Sequence, residues 1–171
     1  MKKILAVSAL FSLSFFSKAQ PEVNYWQQAV DYKMSVELMP KDHSFRGTQT
    51  LKYYNNSPDT LQVLFYHLYF NAFQPNSMMD TRSRHILHPH KRVGSRIEKL
   101  GEDEEGQQKV ISLNLNGTGC YFEYHQTLLK VLLPSPILPG DTALLQMEFQ
   151  GQVPVQIRRS GRDNAEGIDY T

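Results

Sequence analysis

Apolar and polar residues alternate from Tyr32 to Leu38: Tyr32, Met34, Val36 and Leu38 fall on one side, Lys33, Ser35 and Glu37 on the other. A period of two predicts a β-strand with one dry and one wet face. Turn residues Pro40–Ser44 follow, and Phe45–Tyr54 (FRGTQTLKYY) reads as the returning strand of a hairpin. Asn55-Asn56-Ser57-Pro58-Asp59 supplies the next turn. Leu61–Phe70 is apolar or aromatic on both faces, which predicts a strand with protein on either side. The β-branched and aromatic residues Val63, Phe65, Tyr66 and Tyr69 favour strand over buried helix there. Further strands are predicted over Lys109–Leu115, Gly119–Tyr124, Leu128–Leu133 and Ala143–Phe149, with the proline-rich Pro134–Asp141 as a rigid turn. No long amphipathic helix and no internal repeat is visible. The pattern predicts an all-β, sandwich-like domain of antiparallel sheets with long loops and little helix.

Two stretches break the pattern. Thr81–Arg96 (TRSRHILHPHKRVGSR) is basic and histidine-rich, and Gly101–Gly106 (GEDEEG) is acidic. Both read as long surface excursions between strands.

The amino terminus changes the charge balance. Lys2 and Lys3 precede the apolar run Ile4–Phe16, and Ser17-Lys18-Ala19 places small residues where a signal peptidase reads. Residues 1–19 are therefore expected to be an export signal, cleaved before Gln20, and too short to span a bilayer. The expected location is exported, periplasmic or extracellular. Losing Lys2, Lys3 and Lys18 takes the 18 basic residues to 15 against 17 acidic ones, a formal charge of −2. Such a chain gives no electrostatic reason to bind nucleic acid or an anionic membrane surface. Residues 20–171 suffice for one domain with one core. Cys120 is the single cysteine, so no internal disulfide forms, and it reads as a small buried hydrophobe.

Candidate chemistry is sparse. None of the six histidines is followed by glutamate, so the H-E-x-x-H zinc helix is absent. His85, His88 and His90 share a loop with Arg82, Arg84, Lys91, Arg92 and Arg96, whose positive field opposes a cation; a solvated loop or interdomain contact is the plainer reading. There is no G-x-S-x-G elbow and no glycine-rich phosphate loop. Glu102-Asp103-Glu104-Glu105 reads as a solvated turn rather than a facing carboxylate pair. Arg158, Arg159 and Arg162 form a basic cluster that reads as a polar loop or a seam docking another domain, ahead of an anion site. Trp26, Tyr53, Tyr54, Phe65, Tyr66, Tyr69, Phe70 and Phe73 offer either core and interface filling or a stacking platform for sugars. No catalytic, metal or cofactor residue is assigned.

Three tracts carry a resemblance. Phe65-Tyr66-His67-Leu68-Tyr69-Phe70-Asn71-Ala72-Phe73-Gln74-Pro75 with Ser77-Met78-Met79-Asp80, the opening Tyr25–Tyr32 (YWQQAVDY), and Gly151–Gly167 (GQVPVQIRRSGRDNAEG) resemble exported bacterial aminopeptidase-N-type zinc metallopeptidases, the gluzincins. The resemblance implies a saddle-shaped N-terminal β domain that packs on a thermolysin-like catalytic domain. In that family the second domain holds zinc through the two histidines of H-E-x-x-H and a distant glutamate. A G-x-M-E-N-type stretch and a glutamine of the first domain hold the peptide's amino terminus. Gln146-Met147-Glu148-Phe149 lacks the glycine and asparagine of that stretch, and the glutamine-bearing segment is expected just beyond Thr171. Residues 20–171 are thus expected to be this domain, incomplete at its C-terminal end and inactive alone. Its partner is a catalytic domain absent from the chain, through which peptide substrates and zinc enter. The alternative is an independent exported binding module for peptide or glycan.

Overall fold

The computed structural model describes residues 25–159 and 161–163. The fold is mostly β, as the alternation predicts. Strands β1 (Ala29–Met39) and β2 (Ser44–Tyr54) form the expected hairpin, closed by a short 3-10 turn over Pro40–Asp42 and His43 in the left-handed region at φ 51°. β4 (Gln107–Leu115), β5 (Thr118–Gly119) and β8 (Thr142–Gln152) complete a five-stranded antiparallel sheet ordered β1-β2-β8-β4-β5. β3 (Leu61–His67), β6 (Tyr121–His125) and β7 (Leu128–Ile137) form a second, three-stranded sheet ordered β3-β7-β6.

Register explains where the core lies. Directly opposed residues share a face of an antiparallel sheet. The row Tyr32–Leu51–Leu145–Leu115 and the row Met34–Gln49–Met147–Leu113 therefore point the same way, toward the small sheet. Leu129 and Val131 come up from β7 to meet them, and Leu129, Val131 and Leu145 are wholly buried. Each such side chain contributes roughly 1.5–3 kcal/mol by leaving water. Gly47 lies in the same layer; a Cβ there would sit 2.5 Å from the Ser35 carbonyl oxygen and 2.8 Å from the Phe149 ring. Its lack of a side chain is what lets that ring lie across β2.

Four expectations need correction. Leu61–Phe70 is not covered on both faces: the strand ends at His67, and Phe65 is 59% exposed because among the described residues no layer lies outside the small sheet. Pro134 and Pro136 belong to β7 rather than to a turn. β6 pairs only with Leu128–Leu132, and the β3 register slips between Leu61 and Val63, so neither proline has to donate to a ladder. The basic stretch is not a free excursion. Met78–His85 is a helix, α1, capped by the Ser77 hydroxyl accepting from the Asp80 amide at 3.2 Å. Beyond it, Val93 and Ile97 join Phe73 and Ile157 in a second small core. Finally, Gly101–Gly106 is stitched to its neighbours by its main chain, as described below.

Candidate functional site

The two sheets do not match in width, and the consequence is an open seam. The small sheet ends at β3, so among the described residues no strand covers the inner face of β1. Val30, Tyr32, Met34, Val36 and Leu38 are 42–56% exposed although they point to the core side. Between β1 and β3 lies a cleft of about 270 Å³, with Met34, Val36, Phe45, Met147 and Phe149 among its walls.

Gln49 and Tyr66 also line the cleft, beside His67, Gln108 and Lys109. Gln49 sits in the middle of a row of apolar residues, is 9% exposed, and its Nε2 has no hydrogen-bond partner among the described residues. The Tyr66 hydroxyl is likewise buried and unpaired. Burial, then the nearby Tyr32 and Cys120, push the Tyr66 phenol well above its ordinary value, so it stays protonated and able to donate. An unsatisfied buried hydroxyl costs about 1–3 kcal/mol, so Tyr66→Phe is expected to raise stability by about 1 kcal/mol in chemical denaturation. A loss of stability would show that the hydroxyl is bonded.

Of the residues singled out by sequence as candidate chemistry, Tyr66 lines this cleft, and the three loop histidines, the acidic run and the arginine cluster do not. His85, His88 and His90 are exposed. The His85 Nδ1 lies 2.6 Å from the Thr81 carbonyl of its own helix, and the His90 Nδ1 accepts from the Arg92 amide at 3.2 Å. His88 and His90 border a depression of about 500 Å³ with Arg82 and Arg158. Among the described residues no three His, Cys, Asp or Glu side chains converge as a metal-ligand set. Cys120 is half-buried against the core; burial pushes its thiol up, only partly opposed by a backbone hydrogen bond at Leu115. Such a thiol is a poor nucleophile.

Arg162 of the arginine cluster is built into the acidic loop. Arg162 is 7% exposed, pairs with Asp163, and its Nη2 donates to the Asp103 carbonyl at 2.7 Å. The Gln152 side chain donates to the Glu102 and Glu105 carbonyls at 2.8 and 3.0 Å, and the Val155 amide to Glu104 at 2.9 Å. Burial, then Glu102, push the Glu105 carboxyl above its ordinary value. The loop is held by carbonyls, which a reading of side-chain charge does not detect. Arg158 and Arg159 remain exposed.

The aromatic residues divide. Tyr53, Tyr66, Phe70 and Phe73 pack inside, and Phe45 makes edge contacts to Phe70 at 5.9 Å and Phe149 at 6.4 Å. Trp26, Phe65 and Tyr69 are exposed, with Tyr69 stacked on His67 at 5.5 Å. The Tyr54 hydroxyl donates to Asp31 at 2.7 Å. The cleft itself was missed by the sequence reading; Gln49 between Thr48 and Thr50 in a β-strand gives no signal that it points inward.

No protein-family profile matches the chain, and no curated protein matches it. Solved structures do resemble it. An M1 zinc metallopeptidase from Deinococcus radiodurans is 17% identical, with a TM-score of 0.46, over 79% of this chain and 24% of that one. A two-domain M1 zinc metallopeptidase mutant bound to L-tryptophan is 18% identical, with a TM-score of 0.47, over 82% of this chain and 26% of that one. The chain spans about a quarter of the length of these structures. Among the described residues no helix is long and apolar enough to cross a membrane.

Proposed function

We propose that this chain is the N-terminal, non-catalytic β domain of an exported aminopeptidase-N-type zinc metallopeptidase, and that it packs on that enzyme's catalytic domain and shapes its active site. The observation that carries this reading is the tract of strongest family likeness, Phe65–Asp80, together with what its residues do. Asn71 is buried; its Oδ1 accepts from the Gln108 amide at 2.6 Å and its Nδ2 donates to the Gln126 carbonyl at 3.2 Å. The Gln74 side chain donates to the Gly106 carbonyl at 2.9 Å, and the Ser77 hydroxyl to the Ala72 carbonyl at 2.7 Å. The tract locks the linker after β3 onto β4 and the small second core. Its polar groups are spent on architecture, which is the behaviour of a supporting domain.

The chain's residues do not fit a zinc site of that family: no histidine precedes a glutamate, and the exposed histidines lie beside arginines. Zinc, and the water it would activate for attack on a peptide carbonyl, belong to the partner domain in this reading. The export signal at residues 1–19 lies outside the described residues and remains part of the proposal.

The test is enzymatic. The purified chain, supplied with zinc, is expected to release no amino acid from a dipeptide. Co-expression with a candidate H-E-x-x-H domain from the same locus is expected to give a stable complex with chelator-sensitive release. Chelator-sensitive cleavage by the isolated chain would overturn the proposal. The competing reading, a peptide- or glycan-binding module, draws on Phe65, Tyr69 and Tyr121, which stand exposed on or beside the small sheet. Saturable calorimetric binding of an oligosaccharide or peptide to the isolated chain would favour it.

A further inference from the structure

We propose that β1 is a self-association edge, pairing antiparallel with β1 of a second copy about a two-fold axis at Ser35 and joining two five-stranded sheets into one of ten. The proposal uses only the described fold and does not depend on the functional reading above.

β1 is the last strand of its sheet, eleven residues long, with a complete ladder to β2 on one side and no strand on the other among the described residues. A long free edge of this kind is a template for another strand. Its inner face carries the exposed row Tyr32, Met34, Val36 and Leu38, and its outer face carries Asp31, Lys33, Ser35 and Glu37.

Charge selects both the occupant and the register. Full overlap of two β1 strands, centred on Met34, sets Asp31 against Glu37 twice, and like charges directly opposite are unfavourable. Centring on Lys33 sets two ammonium groups face to face. Centring on Ser35 gives up only two residues of overlap at one end of each strand. It then sets Lys33 of each copy opposite Glu37 of the other, and continues the apolar row with Tyr32 opposite Leu38 and Met34 opposite Val36. Centring on Tyr32 also pairs opposite charges, Asp31 with Lys33, but with a shorter overlap. Glu37 is already oriented by Arg46 at 2.8 Å within its own chain. A lysine on an edge strand ordinarily deters pairing; here the deterrent is answered by the partner's glutamate.

Sedimentation velocity of the full chain across a concentration series tests this. Wild type is expected to dimerise. K33E and E37K, which exchange one exposed charge each, are expected to weaken the dimer roughly tenfold to thirtyfold while retaining wild-type circular dichroism. An equimolar mixture of the two variants restores both opposite-charge pairs, so a heterodimer visible by native mass spectrometry is expected. Hydrogen exchange gives a second measure: β1 amides should gain protection with concentration in wild type and not in K33E. A monomeric wild type, a dimer indifferent to both substitutions, or a mixture that fails to associate would each overturn the proposal.

Discussion

Asn55→Ala is expected to lower the melting temperature by about 10 °C, from a loss near 3 kcal/mol at roughly 2–4 °C per kcal/mol for a chain of this size. Asn55 is wholly buried at the junction of the two sheets. Its Nδ2 donates to the carbonyls of Asp59 at 2.8 Å and of Ile137 and Leu138 at 3.1 Å each. Its Oδ1 accepts from Gln28 at 3.0 Å and from the Ser57 amide and hydroxyl at 3.2 and 2.7 Å. Its own amide and carbonyl are bonded to Asp141 and Gly140. One side chain thus ties the β2–β3 connection to the β7–β8 turn, two of the four places where the chain crosses between sheets. Alanine takes a donor from all three carbonyls; those of Asp59 and Leu138 keep the Ser57 hydroxyl at 3.3 Å and the Asp141 amide at 3.0 Å, but Gln28 and Ser57 lose their shared acceptor in a space too polar to collapse. The control is its neighbour: Asn56 is exposed, and Asn56→Ala should change stability by no more than about 0.5 kcal/mol. Equal effects at the two positions in thermal denaturation would refute the argument.

The pair also marks where sequence stops being informative. Asn55 and Asn56 are chemically identical and adjacent, and turn composition says only that both belong between strands. Which of them is buried depends on the β7–β8 turn arriving from more than eighty residues away. The same limit applies to β1. Alternation places Tyr32, Met34, Val36 and Leu38 on one face, and the structure keeps them there. How far the opposing sheet extends is a matter of strand count in the other layer, which no local period encodes. The strand positions were legible because the side-chain period is local. α1 was not, since eight residues give the periodicity little to work with, although Ser77-Met78-Met79-Asp80 carries the spacing of an N-terminal cap. The cleft was illegible for a third reason: Gln49 and Tyr66 matter there by being unpaired, and pairing is a tertiary property.

Arg84→Met is expected to cost about 3–5 kcal/mol, and Asp80→Asn distinctly less, about 1–2 kcal/mol. The two residues form a bidentate pair, with Arg84 Nε 3.1 Å from Asp80 Oδ1 and Nη2 2.9 Å from Oδ2. Counting contacts would predict equal losses. The asymmetry comes from what each substitution leaves behind. Asp80 has no exposed side-chain surface, so removing Arg84 strands a carboxylate away from water. Arg84 keeps 27% of its side-chain surface and lies 3.5 Å from Glu98, so it has solvent and a second carboxylate to turn to. Asparagine at position 80 also keeps an acceptor for the Asn76 amide, which reaches Asp80 Oδ2 at 2.8 Å and holds a turn with φ 66°. The loss should be local before it is global. α1 and the following loop rest on the small core of Phe73, Val93, Ile97 and Ile157, separate from the core between the sheets. Hydrogen exchange in Arg84→Met should therefore accelerate across residues 76–100 while β2 and β8 keep wild-type protection. Uniform acceleration across both cores would show that they unfold as one unit, and a larger loss in Asp80→Asn would refute the burial argument.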